Sequence, residues 1–161
     1  MTASWQAFFS AQVTVGAALT GLVFVALSIN LKQILSHQGL AGRAGEALLV
    51  LLVPVFAGLA GVLPQTSLGA LGAEILAISL IAWSAVSAII LRGHQAMRAR
   101  PWNEYLTRVV GAQAAVLPGV VAGGLLLAGD PTGLWWQAAG VAACIAVGVG
   151  DAWVLLVEIL R

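Results

Sequence analysis

Charge is scarce in this 161-residue chain. Asp, Glu, Lys and Arg together make up 8% of it, against roughly 25% in a soluble globular domain. Seven basic and six acidic residues cannot cover a soluble surface, so a soluble enzyme is excluded. A disordered chain is excluded as well, because 61% of the residues are hydrophobic and such a chain cannot stay solvated. The lone cysteine, Cys144, rules out a disulfide framework. A net charge of +1 with no large basic patch leaves nothing to hold nucleic acid. The two histidines, His37 and His94, stand far apart, and no His or Cys pair has ligand spacing. Neither a metal nor a cofactor is expected. No His-Glu-x-x-His, Gly-x-Ser-x-Gly, phosphate loop or dinucleotide fingerprint occurs, and an enzyme is not expected.

What is abundant is apolar length. A helix crosses a bilayer core with about 20 apolar residues. Five stretches qualify, at about 8–31, 47–63, 68–91, 109–128 and 134–160. The second is the shortest; it carries Pro54 and follows Glu46. The expectation is an all-α integral membrane bundle of about five transmembrane helices, forming a single domain over 1–161. No internal repeat is visible.

Two connections are short and made of turn residues, Pro64-Gln65-Thr66-Ser67 and Gly129-Asp130-Pro131-Thr132-Gly133. They predict tight antiparallel pairs. The two longer connections, about 32–46 and 92–108, hold most of the charge. With five spans, Lys32, Arg43, Arg92, Arg98, Arg100, Arg108 and Arg161 all fall on one side. Basic residues collect on the cytoplasmic side, which predicts the N-terminus outside and the C-terminus in the cytoplasm. The first span is too long, and its flanks carry the wrong charge, for a cleaved signal peptide. A retained helix is expected. Trp5, Phe8, Phe9, Trp135 and Trp136 fit the outer interface, and Trp102 and Tyr105 the inner one. The stretch 98–108 reads as an interfacial helix. Pro101 suits its first turn, and Arg100, Glu104 and Arg108 stand four apart for ion pairing.

Helices in lipid associate through close packing, which small residues four apart permit. Gly111, Ala115, Gly119 and Gly123 form one such stripe, and Gly140, Cys144, Gly148 and Ala152 another. Shorter ones are Gly69, Ala73 and Ala77, and Ala17 with Gly21. They serve packing within one chain, an interface between copies, or both. The stripes outnumber what five helices need, so a homo-oligomer is expected. Pro54 and Pro118 each remove a backbone donor and free a carbonyl. Either the kink is merely tolerated or the opened backbone lines a polar path.

Ionisable groups inside a bilayer cost on the order of 3 kcal/mol and are functional candidates by default. Asp151 is the clearest, deep in the fifth span and one turn from Gly148. Glu158 follows two turns later on the same face, so the two acids could form a ladder towards the cytoplasm. Glu74 lies about two turns into the third span, beside Ala70 and Ala77, and is expected to face a neighbouring helix. Gln12, Thr14, Thr20, Ser28, Ser79, Ser84, Ser87 and Gln137 supplement the polar set. Asn30 and Gln113, near the cytoplasmic ends, could bond each other or Glu158. The acids either lock helices together or mark a route for a cation or proton. No Lys or Arg falls within a predicted span to neutralise them, which favours the route. A small oligomeric channel or carrier is therefore expected. The alternative is a non-transporting accessory subunit of a larger membrane complex. Its partners are the lipid bilayer, further copies or another membrane protein.

The opening Trp5-Gln6-Ala7-Phe8-Phe9, the run Ala18-Leu19-Thr20-Gly21-Leu22-Val23-Phe24-Val25-Ala26-Leu27-Ser28-Ile29-Asn30-Leu31 and the ending Asp151-Ala152-Trp153-Val154-Leu155-Leu156-Val157-Glu158-Ile159 resemble a family of small bacterial membrane proteins. Some of its members carry the label of modulator of a membrane AAA protease. The resemblance is strongest at the two ends of the chain and implies a bacterial inner-membrane location. It assigns no site residue.

Overall fold

A computed structural model describes residues 3–36, 39–96 and 102–159. Six helices occur among them: α1 (Ala3–Ile29), α2 (Leu31–Ser36), α3 (Leu40–Val62), α4 (Leu68–Ala96), α5 (Trp102–Leu127) and α6 (Gly133–Ile159). No strand occurs among the described residues. Five of the helices, all but α2, are long and apolar enough to cross a membrane. A backbone in hydrocarbon must make its hydrogen bonds internally, and a helix does so. His37, Arg98, Arg100, Pro101 and Arg161 lie outside the described residues, as do the side chains of His94, Glu104 and Glu158.

Helices α3, α4, α5 and α6 form a ring in which each packs on the next and α6 returns to α3. Helix α1 lies outside this ring, against α3. Three apolar layers fill the bundle. Phe9, Leu71, Ile75, Leu126 and Leu134 belong to the layer at the tryptophan-bearing end. Val50, Val86, Ala115, Val116 and Cys144 belong to the middle layer. Leu27, Ile34, Leu40, Ala47 and Leu155 form the layer at the arginine-bearing end, where α2 tucks Ile34 under α3.

The short turns are built as their residues suggest. Gly129 has φ 86°, which suits a residue without Cβ. The amides of Gly129 and Asp130 donate to Leu126 O (3.0 Å) and Leu125 O (2.9 Å), closing α5. Ser67 caps α4, its Oγ accepting from the Ala70 amide at 3.1 Å.

Two helix starts correct the sequence reading. Apolar windows begin the second span near Ala47 and the fourth near Val109. The helices begin at Leu40 and Trp102. Leu40, Ala44, Ala47 and Leu51 are all buried and recur at helical spacing, so the amphipathic period continues past the charged residues. The separate interfacial helix expected at 98–108 is not formed over its described part, because residues 102–108 are the first turns of α5 itself.

Candidate functional site

The extended starts of α3 and α5 bring two arginines to the acids. On α3, Glu46 shares a face with Val50, Val53 and Ala57, all buried. Helical spacing of 4, 7 and 11 residues carries Glu46 into the bundle, where it is 1% exposed. Arg108, about two turns into α5, meets it there. Its Nε donates to Glu46 Oε2 at 2.7 Å, and its Nη2 forms an ion pair with the same oxygen. Arg43, near the start of α3, reaches across to α6 and places Nη2 4.0 Å from Asp151 Oδ1. Glu46 also interacts electrostatically with Asp151 and Arg43, and Asp151 with Arg108. Two guanidinium groups and two carboxylates thus form one compact cluster at the arginine-bearing end, tying α3, α5 and α6 together.

This changes the standing of Asp151. The sequence reading finds no cation inside a span to neutralise it. The structure supplies Arg43, because α3 starts earlier than its apolar window. Asp151 is partly buried, its side chain 16% exposed. Glu46, which the sequence reading treats as a loop residue bordering the second span, is the most enclosed acid among the described residues. Its place in the stripe with Val50, Val53 and Ala57 was the available signal.

The remaining candidates are scattered. Glu74 is exposed on α4, at the opposite end of the bundle, and accepts from Gln65 Nε2 at 2.9 Å. It faces outward rather than towards a neighbouring helix, and Gln65 from the preceding turn folds over it, also donating to Ala60 O at 2.7 Å. Asn30 donates to Ala26 O at 2.9 Å, and Gln113 accepts from Trp83 Nε1 at 2.7 Å. The expected pairing of Asn30 with Gln113 is not formed, because each is engaged by its own or an adjacent helix. Glu158 carries no described side chain, so the ladder from Asp151 lies outside the described residues.

The small-residue stripes are largely occupied within the chain. A Cβ at Gly119 would stand 2.6 Å from Ser79 Oγ, one at Gly123 2.5 Å from Leu76 N, and one at Gly148 2.6 Å from Leu51 Cγ. Gly140 crosses Pro118 and Gly119 at 3.3 Å on the same basis. Ala115 and Cys144 are buried, and the Cys144 thiol donates to Ala115 O at 3.1 Å. Gly111 meets nothing within 4 Å, and Ala152 is half-buried.

A second polar feature lies nearer the tryptophan-bearing end. Gln12 on α1 donates from Nε2 to Pro54 O at 2.8 Å, and the absence of side chains at Gly58 and Gly61 admits Gln12 and Phe9 against α3. Beside Pro54 is a cavity of about 10 Å³ lined by Pro54, Ala115, Gly119, Gln137, Gly140 and Cys144, among others. No group of three or more His, Cys, Asp or Glu placed to hold a metal exists among the described residues. No family model, curated protein or solved structure matches this chain.

Proposed function

We propose that the protein is a non-transporting accessory subunit of a larger membrane complex. It sits in the bacterial inner membrane with its arginine-bearing end in the cytoplasm. The observation that carries this reading is the pairing of the deep acids within the chain. Glu46 is held by Arg108 and Asp151 faces Arg43. A cation approaching Asp151 would also meet the guanidinium groups of Arg43 and Arg108, and repulsion between like charges is strong wherever water is scarce. An ion path needs acids that a passing cation can neutralise; these are already neutralised. The main charged cluster therefore works as a clasp on three helices.

Two further features support an accessory role. Helix α1 is the least enclosed of the five spanning helices. It presents Ala7, Ala11, Ala18 and Gly21 outward, a surface that admits another helix at close range. The resemblance to proteins labelled as modulators of a membrane protease is of the same kind.

Ion flux into liposomes holding the purified protein tests the reading, beside an Asp151→Asn variant. No flux of protons or common monovalent or divalent cations above that of empty liposomes is the expected result. Flux that Asp151→Asn abolishes, with the variant still folded, would overturn the proposal and make Asp151 part of an ion path. In native membranes, mild solubilisation should release the chain in an assembly containing other proteins. Assemblies whose mass is a simple multiple of 16.4 kDa would also count against an accessory role.

A further inference from the structure

Gln137 presents an anomaly that neither the clasp nor the accessory role explains. It lies about one turn into α6, is 3% exposed, and has no hydrogen-bond partner among the described residues. A primary amide carries two donors and two acceptor lone pairs. Leaving them unmet in an apolar interior costs roughly 1–3 kcal/mol by protein mutational measures. Gln113 is bonded through its amide oxygen, whereas Gln12, which donates to Pro54 O, keeps a buried amide oxygen without a hydrogen-bond partner among the described residues.

Gln137 lines the cavity beside Pro54. Its volume of about 10 Å³ matches the lower limit for one water molecule on the same measure, about 10–15 Å³. A bound water also needs two to four polar partners. Gln137 supplies the first. Pro54 O and Ala115 O each accept one hydrogen bond, from Gln12 and Cys144, and each keeps a second lone pair. Across Gly119, which lines the same cavity, Ser79 Oγ is buried and has no partner.

We infer that this cavity is a binding site for a single water molecule, held by the Gln137 amide and by main-chain oxygens at the crossing of α3, α5 and α6. The water occupies the space that Gly119 and Gly140 leave open, beside the two proline positions. It lets both helices pass close to α6 without stranding the amide.

Water-edited solid-state NMR on the protein in lipid bilayers tests the site. Magnetisation from water should reach the Gln137 side-chain amide and the Gly119 and Gly140 amides. It should not reach Leu126, which lies fully buried in the apolar layer. Substituting Gln137→Met, similar in length and without the amide, should abolish transfer to Gly119 and Gly140. Absence of transfer to Gln137 in the wild-type protein overturns the proposal, whatever the variant does. Transfer to Gly119 and Gly140 that survives in a folded Gln137→Met protein would likewise overturn it, since the amide would then not be the holding group.

Discussion

Glu46 and Arg108 define the energetics of this chain at the level of single residues. Removing one partner of a buried ion pair leaves an uncompensated charge and costs about 3–5 kcal/mol, whereas apolar replacement of both is often near neutral. Glu46→Met or Arg108→Met should each destabilise the bundle by about that amount, measured by denaturant or SDS unfolding. The double replacement should recover most of the loss. A double variant as damaged as the two singles combined would show that the two residues act independently and would overturn the buried-pair account. Asp130 offers a second residue-level test, outside the spanning helices. The backbone amide of Thr132, 2.9 Å from Oδ1, and then its hydroxyl hold the carboxyl below its ordinary value of 3.8. A depressed pKa in the folded state means stabilisation that is complete above the ordinary value and fades as pH falls through the depressed one. The difference in melting temperature between wild type and Asp130→Ala should therefore be present at neutral pH and shrink in strong acid. A difference that stays constant down to the lowest workable pH would contradict this. Asp130 is exposed, so the effect is small.

Glycines decide how closely the elements approach. A Cβ at Gly123 would press on the backbone of Leu76, and one at Gly72 on the backbone around Leu127. Backbone cannot swing aside, so Gly72→Ala and Gly123→Ala should separate α4 from α5 and cost about 1–3 kcal/mol. Gly111→Ala and Gly124→Ala meet nothing within 4 Å and should be neutral or gain up to about 1 kcal/mol of helix propensity. Parallel unfolding of the four variants checks the contrast; equal losses in all four would refute the packing argument. The sequence pattern announces Gly119 and Gly123 as contact residues, and they are. It also singles out Gly69, Ala73 and Ala77, of which Ala73 and Ala77 face outward, while the tight contact belongs to Gly72. Small residues are so frequent here that every face of α4 carries some, and spacing alone cannot choose among faces. The same limit hid Glu46. Hydropathy ends a span at the first charge, yet the helix continues wherever that charge finds a partner across the bundle. Five long helices, two tight turns and the order of the elements were legible, because apolar length and turn chemistry are local. The partners of the acids were not, because Arg108 comes from 62 positions away.

The whole molecule is polarised along its axis. Lys32, Arg43, Arg92 and Arg108 lie at one end with the charged cluster, and both short turns at the other end carry no Lys or Arg. Trp5 and Trp135 meet edge to face at that other end, 5.3 Å between ring centres, where aromatic rings favour the bilayer interface. Since Lys and Arg loops stay on the cytoplasmic side, the turn at 128–132 should lie outside. The native Cys144 is buried and should not react with a membrane-impermeant maleimide in the folded protein, so single introduced cysteines should report cleanly. In right-side-out vesicles, Thr132→Cys should label at once and Lys32→Cys only after the membrane is opened. Inverted vesicles should reverse the two. The opposite pattern would place the charged clasp outside, and any partner of the cytoplasmic face would then have to meet the short turns instead. Labelling of both sites from one side would break the antiparallel count of five crossings itself, because residues 32 and 132 are separated by three of them.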